Sequence, residues 1–195
     1  MRALDNPLTM AVLALLREGP RHPYEMQHLL RERNVGAVVK LRGGSLYDAI
    51  DRLARASLIE PVGRSRSGAR PERTVYTVTP LGEEKLTAIV GKHVGAVAEE
   101  FPAFTAGLAH ILHLEKEAAL HLLHERRRSL TALAEETDAV LLDARQAGVP
   151  RLPLLETEYT QLLRHTEIAW LHQVTTAIEE GDLPWTAPPS PQQEA

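Results

Sequence analysis

The stretch from Gly44 to Thr79, GSLYDAIDRLARASLIEPVGRSRSGARPERTVYTVT, constrains this chain more than any other. It begins with a helical period: Leu46, Ile50 and Leu53 recur at steps of four and three and fall on one stripe. Ser45 stands three residues before Asp48, a capping-box-like start. The period then changes. Leu58 to Val62 and Arg73 to Thr79 are short β-type runs, the second alternating Val75 and Thr77 against Tyr76 and Val78. Between them Gly63, Gly68 and Pro71 supply turn chemistry, in a loop longer than hairpin closure requires. A loop that merely joined two strands would not need Arg64, Arg66 and Arg70.

Two further helices precede this stretch. Asn6 followed by Pro7 is an N-cap with proline in the first turn, and the run from Leu8 stays helical until Gly19 and Pro20. Pro23 opens a second helix with Met26, Leu29 and Leu30 on one face, closed by Asn34 and Gly36. Helix, helix, helix, strand, charged loop, strand is the winged helix-turn-helix order. Thr79 and Pro80 cap and open a fourth helix, with Glu83 and Glu84 near the positive end of its dipole. No proline falls between Pro102 and Pro150 or between Pro153 and Pro184, so those intervals hold the longest helices.

In the first interval Ala119, Leu123, Arg126, Leu130, Leu133, Thr137, Val140 and Ala144 form a heptad-like seam. In the second, Tyr159, Leu163, Thr166 and Trp170 make one row and Leu171, Val174 and Ile178 another. Two long amphipathic helices on a small head predict subunit pairing, with Leu123, Leu130, Leu133, Val140 and Leu163 at the dimer interface. The expected fold is mostly α with a small β-hairpin wing. Residues 1–80 form the winged-helix DNA-binding domain, and 81–182 a linker helix with a C-terminal antiparallel helical dimerisation region. Residues 183–195 form a proline-rich disordered tail.

Charge divides the chain in the same place. Its formal net charge is −4. Residues 1–80 carry 13 Lys and Arg against 8 Asp and Glu, a net +5, and residues 81–195 carry 9 against 18, a net −9. A positive face on an acidic protein points to nucleic acid at one end and to another task at the other. The absence of cysteine excludes disulfides, thiolate zinc sites and iron-sulfur clusters. No apolar run reaches about 18 residues, and the start is too polar for a signal peptide, which predicts a cytoplasmic protein with no membrane partner. No nucleophile elbow, phosphate loop or zinc-protease pattern occurs, so an enzyme is not expected, and no cofactor is.

The segments HPYEM (His22 to Met26), GSLYDAIDRL (Gly44 to Leu53), SLIEP (Ser57 to Pro61) and RPERTVYTVTPLGEEKL (Arg70 to Leu86) resemble the PadR family of bacterial transcriptional regulators, in order and spacing. The resemblance covers the first half of the chain by motif and residues 100 to 181 by pattern alone. It implies a homodimeric repressor whose third helix enters the major groove of double-stranded DNA while the wing follows an adjacent groove or backbone. Carried over by position, it places Ser45 and Tyr47 at the DNA-facing start of the recognition helix and Arg70 and Arg73 at the base of the wing. The chain departs from the family pattern at Pro23, commonly glycine, at Asp48, commonly proline, and at Ser57, commonly glycine.

The residues themselves suggest a division of labour. Tyr47, Ser45 and the exposed backbone N–H groups at the helix start suit phosphates. Arg52 and Arg55 suit base edges, arginine to guanine being the commonest specific contact. Arg64, Arg66, Arg70 and Arg73 suit phosphate from the wing. For Tyr47 a place in the core is an equal alternative on pattern alone, and for the arginines a solvated loop is the lesser one. Tyr159 and Trp170 are candidates for a small-molecule effector pocket, against a plain core role. His110, His113, His121 and His124 form two i,i+3 pairs with Glu117 between them, a metal-responsive alternative. The fresh helix start after Leu114 breaks that stripe and favours surface histidines and no metal. Arg126, Arg127 and Arg128 read as a solvated face beside Glu125, Glu135 and Glu136. A winged-helix protein-interaction module without sequence-specific DNA binding is the remaining alternative.

Overall fold

The computed structural model describes residues 4–33, 35–37, 44–65, 73–97 and 100–186, with the backbone alone of Ala37, Arg64, Ser65 and Arg73. Its elements are α1 (Pro7–Arg17), α2 (Pro23–Glu32), α3 (Ser45–Arg55), β1 (Ile59–Ser65), β2 (Arg73–Val78), α4 (Pro80–Gly95), α5 (Ala103–Leu108), α6 (Lys116–Gln146) and α7 (Leu155–Glu180). Short 3₁₀ turns lie at Val35–Ala37, Ile111–His113 and Leu152–Leu154. The chain divides into two compact units, Met1–Glu99 and Glu100–Ala195.

Local chemistry sets the helix starts in the first unit. Asn6 Oδ1 accepts the amide of Thr9 at 3.0 Å ahead of Pro7. At α2 the cap is His22, whose Nδ1 accepts the Tyr24 amide at 3.1 Å while the Glu25 carboxylate accepts the His22 amide at 3.0 Å. This capping box satisfies two otherwise orphaned donors. At α3 the start differs from expectation: the N-cap is Gly44, with φ 82°, and Ser45 is the first helical residue rather than the cap.

The core of this unit packs Leu8, Val12, Leu13, Leu15 and Leu16 of α1 against Met26 and Leu30 of α2. Leu46, Ala49, Ile50 and Leu53 of α3 complete it with Leu58, Ile59 and Leu86. Because Leu58 and Ile59 are buried immediately after α3, the hairpin begins anchored in the core. β1 and β2 pair antiparallel from Ile59 opposite Val78 to Ser65 opposite Arg73, with Val62 as the extra residue of a bulge between Pro61 and Gly63. Arg21, between α1 and α2, adds a single bridge to Tyr76, with amides and carbonyls exchanged at 3.0 Å both ways. α4 belongs with this unit: Leu86 enters its core, and Lys85 and Lys92 both bind the Asp5 carboxylate.

The second unit is an antiparallel pair of long helices, α6 and α7, with α5 beside them. The pairing order runs from His124 with Glu179, through Arg127 with His172, to Asp138 with His165 and Arg145 with Glu158. Its buried cluster is small, Leu123, Leu171 and Ile178, with Phe104, Leu108, Leu130, Val174 and Trp185 partly buried around it. Trp185 donates Nε1–H to the carbonyl of Leu114 at 3.2 Å, so packed chain continues past the expected start of the tail at residue 183. Residues 187–195 lie outside the described part. Among the described residues no helix is long and apolar enough to cross a membrane.

Candidate nucleic-acid interface

The outward side of α3 is what remains once its apolar stripe is spent. Leu46, Ala49, Ile50 and Leu53 are all below 5% exposed, which turns the opposite side to solvent. Tyr47, Asp51 and Arg55 follow one another at steps of four, forming a single ridge along that side. All three are exposed, Tyr47 at 46%, so the tyrosine is a surface residue and not part of the core. Asp48 is exposed beside the ridge, and Arg52 lies half-buried on its flank.

The carboxylates and guanidinium groups of α3 do not neutralise one another. Helical spacing favours ion pairs from Asp48 to Arg52 and from Asp51 to Arg55, yet among the described residues neither forms. Arg55 instead donates Nε–H to the backbone carbonyl of Asp51 at 3.2 Å, which holds its stem along the helix. Arg52 Nε is enclosed without a hydrogen-bond partner.

The end of α3 is fixed to the wing by a compact set of backbone bonds. The amide of Ser57 reaches the carbonyl of Ala54 and the amide of Leu58 reaches that of Leu53, both at 3.0 Å, a Schellman closure. Such a closure needs a left-handed residue, and Ser57 supplies it at φ 57°. Its carbonyl accepts Thr79 Oγ1–H at 2.8 Å, and Thr79 Oγ1 in turn accepts the amide of Gly82 at 3.1 Å to cap α4. Gly82 sits so close that a Cβ there would lie 2.1 Å from the Leu58 carbonyl oxygen and 2.7 Å from a Val78 methyl. α3, the hairpin and α4 therefore meet at one tight node, and the hairpin is aimed by the helix that precedes it.

Two salt-bridge centres brace the same unit. Glu18 receives Arg33 at 2.5 Å and Arg21 at 3.2 Å, and the Arg33 guanidinium beside it holds its carboxyl below the usual range. Asp5 is likewise lowered, first by Lys85 and then by Lys92.

Of the wing cations, Arg66 and Arg70 lie outside the described residues, as do the side chains of Arg64 and Arg73; the backbones of the latter two pair with Thr74 and Ser65 in the hairpin.

A family model described as the transcriptional regulator PadR-like family matches residues 12–88. The span runs from the second half of α1 through β2 to the first half of α4, and so includes the whole α3 ridge and its node. The head is a PadR-like domain.

The fold agrees over a longer span. The Bacillus subtilis PadR structure in complex with operator DNA superposes with a TM-score of 0.73 at 18% identity, covering 87% of this chain and 97% of that one. The same protein in complex with p-coumaric acid gives 0.72 at 17%, covering 89% and 99%. A PadR-like transcriptional regulator from Bacillus cereus gives 0.60 at 12%, covering 88% and 98%. At such identities the fold is what is shared. No curated protein matches the sequence. The PadR-like family is described as one of transcriptional regulators and is not an enzyme family.

Beyond the PadR-like head, the structure sorts the expected interface residues. Leu123 is 4% exposed inside the unit's own cluster and offers nothing to a partner, and Leu130 is largely taken up in the same way. Leu133, Val140 and Leu163 are at least half exposed. The heptad pattern could not separate these sets, because a helix with a wide apolar face fills its own neighbour first. Tyr159 and Trp170 are eleven residues apart on one helix, roughly 16 Å along the axis, and do not meet. Tyr159 is exposed, whereas Trp170 packs edge-on to Phe104 with centroids 6.3 Å apart, and Arg126 lies 3.7 Å over the Phe104 ring. The arginine run is engaged on its own unit: Arg126 with Glu167 at 2.5 Å, Arg127 with His172 at 2.8 Å, and Arg128 with Glu125.

His110 and His113 stand on and beside a 3₁₀ turn before α6, while His124 binds Glu179 at 2.8 Å. Among the described residues no group of three or more His, Asp or Glu could hold a metal ion. The His22 capping box is a feature the sequence reading passed over; the signal was present as Glu25 three residues after His22.

Proposed function

We propose that this PadR-like protein is a DNA-binding transcriptional regulator acting as a homodimeric repressor on a pseudo-palindromic operator. The observation that supports it most is the α3 ridge of Tyr47, Asp51 and Arg55, exposed on a helix whose other side is core and whose end is fastened to the hairpin. In this reading Ser45 and Tyr47 contact phosphates at the helix start, and Arg52 and Arg55 lie toward base edges. Arg64, Arg66, Arg70 and Arg73 bind the backbone from the wing. The complex of Bacillus subtilis PadR with operator DNA, on the same fold, supports the assignment.

Pairing of two copies through Leu133, Val140 and Leu163 would present two α3 helices to half-sites about one turn, roughly 34 Å, apart. A small-molecule effector is proposed on the likeness to the p-coumaric acid complex. Trp170, Phe104 and Arg126, an aromatic pair with a cation over one ring, are the residues to examine for it. A cytoplasmic setting follows from the role.

The test is binding of the full chain to its own promoter DNA across a salt series. If each subunit neutralises about four phosphates, affinity falls by orders of magnitude between about 50 and 200 mM salt. A salt-independent association, or none, would favour an interaction module that keeps the fold without reading DNA.

A further inference from the structure

The centre of the α3 ridge is a carboxylate, and nothing in the free protein accounts for it. Asp48, in the first turn, favours the helix dipole. Asp51 is two turns in, exposed, and among the described residues its carboxylate has no ion pair or hydrogen bond, since Arg55 takes its backbone oxygen instead. On a helix that enters DNA, an unpaired carboxylate is repelled by phosphates and must find donors on a base edge. In the major groove guanine offers N7 and O6 and thymine O4, all acceptors, and adenine sets its N6 amino group beside the acceptor N7. Cytosine N4 is the donor that a carboxylate can take without facing an acceptor on the same base.

We infer that Asp51 is a specificity-determining residue, accepting from cytosine N4 while Arg55 donates to guanine on the same ridge. The inference rests on the DNA-binding reading above. The two side chains start about 6 Å apart along the helix, one to two base-pair steps at roughly 3.4 Å each. The preferred half-site therefore carries a cytosine within about two base pairs of a guanine. Asp51 gives up affinity for duplex in general and returns it at one sequence, which is discrimination by rejection as well as by contact.

The experiment selects bound duplexes from a random pool with the full-length protein and with Asp51→Ala and Asp51→Asn, then measures affinities for the wild-type consensus, its single-base variants and a scrambled duplex. Circular dichroism checks that both variants keep the native helix content. Expected for Asp51→Ala is loss of the preference at one cytosine, roughly tenfold or more, together with tighter binding to scrambled duplex. Asp51→Asn should move that position from cytosine toward adenine, because an amide pairs bidentately with adenine N6 and N7. An unchanged consensus with uniformly tighter binding would make Asp51 a mere repulsive charge and overturn the inference while leaving DNA binding intact. Failure of the wild-type protein to recover any consensus would overturn it together with the reading on which it rests, and that failure appears in a different arm.

Discussion

The two units differ in how they use their apolar residues. In the head, four helices and a hairpin enclose a core running from Leu8 to Leu86, and the ionic contacts of Glu18 and Asp5 sit around it. In the α6–α7 pair the buried cluster is Leu123, Leu171 and Ile178, and the buried residues toward the other end include a polar one, Gln161, which donates to the Ala134 carbonyl and to Asp138, both at 2.8 Å. Meanwhile Leu122, Leu133, Val140, Leu155, Tyr159, Leu162 and Leu163 remain exposed. A monomer seldom leaves so much apolar surface on two neighbouring helices without a purpose. The head closes an extended core with its own chain while exposing Leu81, Val90 and Val94 along α4, and the helical pair carries more apolar surface than its small core covers, in keeping with the proposed homodimer.

The largest effect should come from breaking the head at its tightest point. Gly82→Ala places a methyl against the Leu58 carbonyl, and a backbone atom cannot step aside. Thermal unfolding should show the head destabilised by about 3 kcal/mol or more, and DNA binding lost with it. Next, Leu53→Ala, at the centre of the core, should cost about 2–5 kcal/mol in denaturant titration without changing the oligomeric state. The matching change in the other unit has the opposite signature. Glutamate at Leu133, Val140 and Leu163 together should leave helix content intact and yield monomers by sedimentation, with operator affinity down at least tenfold. Were those variants still dimeric, the contrast between a closed unit and an open one would lose its functional meaning.

Smaller effects sharpen the picture of the head. Ser57→Gly should stabilise by about 1 kcal/mol, since a left-handed position at φ 57° strains any residue with a Cβ. The smallest is the Glu18 centre, where both partners are over 40% exposed and the pair is worth about 1 kcal/mol or less. Because its carboxyl titrates below the ordinary 4.5, that contribution is full above pH 4.5 and is lost as the pH falls further. Arg33→Ala should remove most of this part of the acid sensitivity in a melting series from pH 6 to pH 3, leaving the share held by Arg21 and the contributions of Asp5 and Glu158.

Much was legible from residues alone. Pro7, Pro23 and Pro80 mark helix starts to the residue, because a proline tolerates the first turn and little else. The proline-free intervals contain the two longest helices, and the stripe of Leu46, Ile50 and Leu53 predicts the buried side of α3. These are local matters: φ restriction, capping and the helical period act within a few residues, so a linear string records them.

Tertiary structure decided what depends on neighbours distant in sequence. It turned Tyr47 outward, closed α3 through a left-handed Ser57, and drew Gly82 against Leu58. It also separated Leu123, inside, from Leu133 and Val140, outside, on a helix whose pattern treats them alike. An amphipathic period fixes that a helix has a face, but which part of a broad face is covered depends on the angle and distance of whatever packs there, and those are properties of the folded chain.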